Sequence, residues 1–253
     1  MAVQGFPEAR WHPSPVYGHG SRPWNWQNIG RSGSSDIRQV IAHTAESGSA
    51  QSALNSLSNV PLDRGLDSAH YLVADDVVYQ LVDDRNQAWH GGNANPYSIG
   101  IETVGRADDP STWTPGVIRN WGRLAGWLSW AYQIPLVYID GAFGQPAAPI
   151  PDRAFIAHGA FDAHRYDPGV YFPWGEIRQA AVQYLDTTEP ALLQAGLDPN
   201  PQVQAELQPH PQWEGDVADE PPAAESRQAK VPGGGPVIAL LLVAAGLALW
   251  VSR

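Results

Sequence analysis

The composition of the chain changes abruptly after about residue 186. Residues 187–235 are rich in Pro, Gln, Glu and Ala, as in "LDPNPQVQAELQPHPQWEGDVADEPPAAESRQAK". Such a stretch buries too little apolar surface to offset the entropy lost on ordering, so we expect an extended linker. The folded part is therefore predicted to be residues 1–186, which is long enough to build one sizeable core.

The last residues of the chain form an uncharged apolar run. Residues 231–252, "VPGGGPVIALLLVAAGLALWVS", are flanked by Lys230 and Arg253. A bilayer span takes about 20 mostly apolar residues, whereas the densest part, 237–251, is shorter and also fits a buried core helix. We favour a transmembrane helix over residues 236–252, because the run has no polar face and Trp250 lies where interfacial aromatics are found.

Charge and composition exclude several classes of partner and site. The formal net charge is −11 with only 15 Lys and Arg, so no nucleic-acid partner is expected, since binding a phosphate backbone needs a basic patch. The chain has no cysteine, and any metal site must therefore use His, Asp or Glu. The first twenty residues contain no apolar segment after a basic start, so we expect no signal peptide.

The periodicity of residues 1–186 indicates a mixture of strands and helices. A hairpin is predicted over 68–82, and single strands over 37–43, 97–105 and 154–158. Helices are predicted over 49–59, 114–134 and 174–185, the second with Thr114 as N-cap and Pro115 in its first position. Because the hairpin requires antiparallel pairing, the predicted class is α/β with a mixed central sheet flanked by helices, followed by the single hydrophobic C-terminal helix.

Two histidines lie at the ends of predicted buried strands. His43 ends "VIAH" and His158 ends "FIAH", so both imidazoles are expected at the carboxyl edge of the sheet, where α/β proteins build their sites. Asp167, in "DPG", is a candidate third ligand. Two imidazoles and one carboxylate are typical of a catalytic zinc site, but a histidine at a strand end is more often a structural residue.

Five motifs give a more specific indication. "VIAHTAE", "SAHYLVADDVVYQLV", "QAWHGG", "YSIGIETVG" and "IAHGAFDAHRYDPG" follow one another from about residue 37 to residue 174. Their order and spacing resemble those of zinc-dependent N-acetylmuramoyl-L-alanine amidases of the type 2 family, which share a fold with peptidoglycan recognition proteins. The resemblance implies the fold predicted above and a peptidoglycan substrate.

The resemblance also implies catalytic roles. Zn²⁺ would be held by His43, His158 and Asp167, and Glu102 of "IGIE" would be the general base. Other members use a Tyr of the hairpin as base, where this chain has Ala69-His70. Arg165, where the family usually has Lys, would stabilise the oxyanion. Its planar fork differs from an ammonium group, and an ion pair with Asp162 is an alternative use for it.

The same resemblance places three residues beside the substrate. His90 of "AWHGG" would border the substrate groove, in contact with substrate or supporting a ligand, and Trp89 and Tyr97 would wall the groove. Core packing is the alternative for both aromatics. His70 is expected to pack under the sheet.

The implied reaction is hydrolysis of the amide between N-acetylmuramic acid and L-alanine of peptidoglycan. Zinc with three protein ligands lowers the pKa of bound water to about 7, and Glu102 would transfer the proton to the leaving amine. The alternatives are a non-catalytic peptidoglycan-binding module and a structural virion membrane protein. With a membrane anchor and no signal peptide, we expect a bacteriophage enzyme, either an endolysin or a component of an internal virion membrane.

Overall fold

The computed structural model describes residues 5–12, 37–58, 68–141 and 149–194. Within them, seven strands form one sheet in the order β1-β4-β3-β5-β2-β7-β6. The strands are β1 Arg10–Trp11, β2 Gln39–Ala42, β3 Tyr71–Val73, β4 Val78–Gln80, β5 Ser98–Thr103, β6 Tyr138–Ile139 and β7 Ala154–Ala157. The predicted α/β class with a mixed sheet is confirmed.

The centre of the sheet is parallel. Strand β2 lies between β5 and β7, with Ala42 paired to Ile101 on one side and to Ala157 on the other. Strand β5 continues into a parallel pair with β3. These central strands are short apolar runs because both of their faces are covered, as expected for parallel strands.

The predicted hairpin is the antiparallel part of the sheet. Strands β3 and β4 pair with Leu72 opposite Tyr79, and the backbone N–H of Ala74 donates to the carbonyl of Val77 at 2.9 Å to close the turn. The hairpin prediction is therefore confirmed, although the turn lacks the Asn-Gly pair that favours the tightest hairpins.

Four α-helices accompany the sheet in the described part of the chain: α1 Ala50–Ser58, α2 Pro115–Tyr132, α3 His158–Phe161 and α4 Trp174–Gln194. The predicted N-cap of α2 is confirmed, since the Thr114 hydroxyl accepts from the Val117 N–H at 3.1 Å. Helices α2 and α4 pack at very close range. A Cβ at Gly122 would lie 2.3 Å from Ala180 Cβ, so the glycine permits this approach.

The two faces of the sheet have different surroundings. Side chains alternate along each strand, so Ala42 and Ile101 point to one face while Ile41 and Glu102 point to the other. The first face carries the main core, which is built with α2 and α4 around Trp121 and Trp127. The second face carries a smaller cluster under α1 and the polar residues of the candidate site.

Helix α4 is longer than its sequence pattern predicted. It continues to Gln194, so residues 187–194, which belong to the predicted linker, are helical. The sequence pattern does not predict these residues as helix, because Pro190 interrupts the helical signal. Leu192, two turns beyond Leu185, nevertheless packs against the main core. Because Pro removes a single backbone hydrogen bond, a packed face can outweigh it.

The rest of the predicted linker and the predicted transmembrane helix, residues 236–252, lie outside the described residues. Within the ranges that are described, no helix combines the length and the hydropathy required to cross a membrane.

Candidate active site

Three predicted ligand residues meet at one point. Asp167 Oδ2 lies 2.9 Å from His43 Nδ1 and 3.2 Å from His158 Nδ1. The two imidazole rings are 4.5 Å apart between centroids. Both histidines are buried, and the Asp167 side chain is 15% exposed. Among the described residues, this is the one group of His, Asp or Glu side chains arranged to hold a metal ion.

The sheet explains why two histidines distant in sequence converge. His43 directly follows β2, where its backbone N–H donates to the Ile101 carbonyl at 2.8 Å. His158 directly follows β7, the parallel neighbour of β2. It does not end the strand as predicted, because it is already the first residue of the short helix α3. The Gly159 N–H donates to the Asp167 carbonyl at 3.0 Å, which ties the loop carrying the third ligand to this helix.

The surroundings keep His43 and Asp167 in the ionisation states that metal binding requires. Burial lowers the pKa of His43 below its usual 6.5, and the nearby His158 and Arg165 reinforce this against the opposing effect of the Asp167 carboxylate. Burial alone would raise the pKa of Asp167, but the imidazoles of His158 and His43 beside its carboxylate hold that pKa well below its usual value. A neutral His43 and an ionised Asp167 are therefore favoured near neutral pH.

The donor set fits zinc. Two imidazole nitrogens and one carboxylate oxygen, all within 4.8 Å of one another, are the ligands of a catalytic zinc site with one position left for water. A tetrahedral ion with bonds of about 2.0–2.1 Å holds its ligand atoms about 3.3 Å apart. The two contacts of Asp167, 2.9 and 3.2 Å, are close to that spacing.

Glu102 and Arg165 border the same cavity, which has a volume of about 1320 Å³. Glu102 is on β5, beside β2, and faces the same side of the sheet as His43. Arg165 is more exposed, with 59% of its side chain accessible, and its Nε lies 4.0 Å from Asp162 Oδ2. The alternative pairing with Asp162 is thus present at the limit of an ion pair, and the catalytic role of Arg165 stays a prediction.

The three residues predicted beside the substrate all line this cavity. Trp89 and Tyr97 are half-buried, and the Arg38 guanidinium lies 4.6 Å from the centre of the Tyr97 ring. The ring nitrogens of His90 face protein atoms, and its contact with substrate stays a prediction. Nδ1 is 3.2 Å from His43 Nε2, and Nε2 is 3.3 Å from the Ser98 hydroxyl. His70 is fully buried, and its Nδ1 accepts from the Gly100 N–H at 3.0 Å.

One residue of the cavity was missed by sequence reasoning. Glu46 follows His43 by three residues and has a φ of 47°, which is rare for a residue other than glycine. Its carboxylate accepts from the Thr44 hydroxyl at 2.8 Å and from the Ala107 N–H at 3.1 Å. The bond from Ala107 joins the loop after β5 to the loop after β2. The acidic residue in "HTAES" was the available signal, but its long-range partner could not be read from it.

Fold and site together define an α/β protein with a His-His-Asp cluster at the carboxyl edge of parallel strands. The chain belongs to the N-acetylmuramoyl-L-alanine amidase family, whose model matches residues 33–170. It is 31% identical over 175 residues to N-acetylmuramoyl-L-alanine amidase A of Achromobacter lyticus, a match that covers 67% of this chain and 90% of that protein.

One solved structure agrees with the fold, and a second is a weaker match. The crystal structure of a selenomethionine AmpD derivative superposes with a TM-score of 0.52 at 19% identity, covering 71% of this chain and 98% of that one. The Drosophila peptidoglycan recognition protein SA is a weaker match, with a TM-score of 0.43 at 18% identity over 60% of this chain and 82% of that one.

Proposed function

We propose that this amidase is zinc-dependent and cuts the amide bond between the lactyl group of N-acetylmuramic acid and L-alanine in peptidoglycan. The observation that carries the proposal is the convergence of His43, His158 and Asp167, with ligand atoms within 4.8 Å of one another. Membership of the amidase family gives the bond class.

The three ligand residues would hold the ion on the floor of the cavity. When bound, zinc supplies Lewis acidity and brings the pKa of water to about 7, which makes a nucleophile available at neutral pH. The buried, neutral His43 and the ionised Asp167 keep their lone pairs for this purpose. Binding should weaken in acid, where protons compete for the imidazoles.

Glu102 is the proposed general base and later general acid. Its place on β5, on the cavity side of the sheet, allows its carboxylate to take a proton from the attacking water and return it to the leaving amine. Arg165 would place positive charge beside the developing oxyanion. Trp89 and Tyr97 offer aromatic faces along the cavity, suited to sugar rings of the glycan strand.

The test uses the full chain and purified peptidoglycan. We expect one bound zinc per chain by elemental analysis, and release of stem peptides with a new alanine amino terminus. Glu102→Gln keeps the shape of the side chain but removes the base, so it should retain zinc and lose at least about a hundredfold in rate. Glu176→Gln, an exposed position at the start of α4, is the matched control.

The same experiment separates an enzyme from a binding module. Zinc binding without stem-peptide release, together with sedimentation of the chain with peptidoglycan, would assign recognition in place of catalysis. A Glu102→Gln variant as active as the unmodified chain would reject Glu102 as the base.

For the cellular setting, we propose membrane anchoring through residues 236–252 in a bacteriophage, either as an endolysin or in an internal virion membrane. The uncharged apolar run supports the anchor. Detergent phase partitioning of the full chain against a chain ending at residue 235 tests it, with the full chain expected in the detergent phase. Detection in purified virions, released only by detergent, would support the virion version, and absence from them would reject it.

A further inference from the structure

His90 connects the metal cluster to the protein interior. Its Nδ1 is 3.2 Å from His43 Nε2, the ring nitrogen remote from the proposed metal, and its Nε2 is 3.3 Å from the hydroxyl of Ser98. Ser98 is fully buried at the start of β5. The two hydrogen bonds form a chain from the ligand His43 through His90 to the sheet.

Ser98 determines the direction of this chain. Its hydroxyl donates its single hydrogen to the Ala94 carbonyl at 2.7 Å, so its oxygen can only accept from His90 Nε2. A neutral imidazole with hydrogen on Nε2 has a lone pair on Nδ1. His43 must then donate from its own Nε2 to His90, which leaves His43 Nδ1 without a hydrogen and facing Asp167.

We propose that His90 is a positioning residue that fixes the tautomer and ring orientation of His43, so that Nδ1 is the atom offered to the metal. The inference rests on the proposed zinc site and deepens it. A ligand histidine is normally held by a carboxylate, a backbone carbonyl or water at its other nitrogen. Here a second histidine takes that place, and the chain reaches a backbone carbonyl through Ser98.

Hydrogen bonds to the Asn95 side chain and close packing on Gly100 fix the position of His90. The carboxamide oxygen of Asn95 accepts from the His90 N–H at 3.1 Å and from the Gly91 N–H at 2.7 Å. The His90 ring lies directly on Gly100 of β5, where an added Cβ would sit 2.4 Å from the ring Cγ. Only a glycine at this position of the sheet leaves room for the imidazole.

Zinc is the probe in the first experiment, with the full chain and a competing chelator. His90→Phe keeps a ring but offers no acceptor to His43, so we expect zinc affinity to fall about 10–100-fold. His90→Asn retains an acceptor near the position of Nδ1 and should recover most of the loss. Ser98→Ala releases the far end of the chain and should cause a smaller loss than His90→Phe. His12→Gln, which removes a histidine far from the cavity, is the control.

The tautomer gives a second readout that does not depend on metal or activity. In ¹⁵N-labelled chain above pH 8, we expect the ring proton of His90 on Nε2, with and without zinc. A ring proton on Nδ1, or zinc affinity in His90→Phe within roughly twofold of the unmodified chain, would overturn the inference. If the unmodified chain bound no zinc, the proposed metal site would fail while the tautomer measurement would still decide the role of His90.

Discussion

Two buried carboxylates lie on opposite faces of the sheet, and each has two ring-bearing partners. Asp167, on the cavity side, meets the Nδ1 atoms of His43 and His158. Asp84, on the side of α2, accepts from the hydroxyls of Tyr71 and Tyr132, both at 2.8 Å. The two clusters are thus similar in geometry and differ in the chemistry of the partners.

The two clusters differ in whether the partner of the carboxylate carries a hydrogen to donate. A phenol always carries its own donor at neutral pH, so the Asp84 cluster is complete without any added atom. A neutral imidazole has one nitrogen with hydrogen and one without, and its partner at the other nitrogen decides which faces the carboxylate. In the proposed tautomer, in which His43 donates toward His90, lone pairs of His43 and Asp167 would face each other, and a cation between them would bind both. One cluster is therefore a structural element and the other a site.

The largest expected effect comes from removing Asp167. Asp167→Ala should abolish stoichiometric zinc binding and lower the rate of stem-peptide release about a thousandfold, equivalent to about 4 kcal/mol in transition-state stabilisation. Elemental analysis and a peptidoglycan digestion assay measure both. Full zinc occupancy in this variant would remove Asp167 from the ligand set.

Removing the other carboxylate should affect folding instead. Asp84→Ala leaves two buried phenol hydroxyls without their acceptor, and we expect the free energy of unfolding to fall by about 3 kcal/mol. Urea denaturation followed by tryptophan fluorescence measures it. The folded fraction should still bind one zinc, and a loss of zinc binding from folded Asp84→Ala would show that the two faces are coupled.

Alkaline pH should weaken the Asp84 tyrosine cluster. Burial, and then the charge of Asp84, raise the pKa of Tyr71 well above its usual 10, so the folded chain keeps a proton that the unfolded chain loses above pH 10. Stability is fully present below pH 10 and falls as pH rises, by about 1.4 kcal/mol per pH unit for this group. Tyr71→Phe should show a shallower loss in urea denaturation between pH 10 and 11, and an unchanged slope would contradict the assignment.

The smallest expected effect is at the start of α2. Thr114→Ala removes the hydroxyl that caps Val117 and contacts Asp75, and should cost about 1 kcal/mol in thermal or urea unfolding. Ser52→Ala, at an exposed position within α1, serves as comparison and should cost nothing. Zinc affinity should be unchanged in Thr114→Ala, since α2 packs with the main core on the face of the sheet opposite the cavity.

Local signals predicted most of the fold. The Thr114-Pro115 pair marked the start of α2, and the apolar runs before His43 and His158 marked the two strands that carry ligands. The strands β1 and β6 were not assigned, because two residues are too few to show an alternation. The end of α4 was also missed, because its last turns are held by packing of Leu192 and not by their composition.

Less of the arrangement of the site could be predicted from the sequence. The resemblance to a known family pointed to the three residues that the structure brings together, but nothing local links His43 to Asp167, 124 positions later. The contact between His43 and His90 depends on the absence of a side chain at Gly100, on a third strand. Arrangements that combine three distant segments leave no periodic pattern, and only the folded chain reveals them.

The pairing of β2 with both of its neighbours has a consequence for insertions and deletions. Ala42 is opposite Ile101 and Ala157, so His43 is the first residue beyond both pairs. A shift of β2 by one residue would turn Ala42 toward the cavity and His43 into the apolar layer under α2. A chain lengthened or shortened by one residue within β2 must therefore restore this pairing elsewhere, or it loses His43 from the ligand cluster.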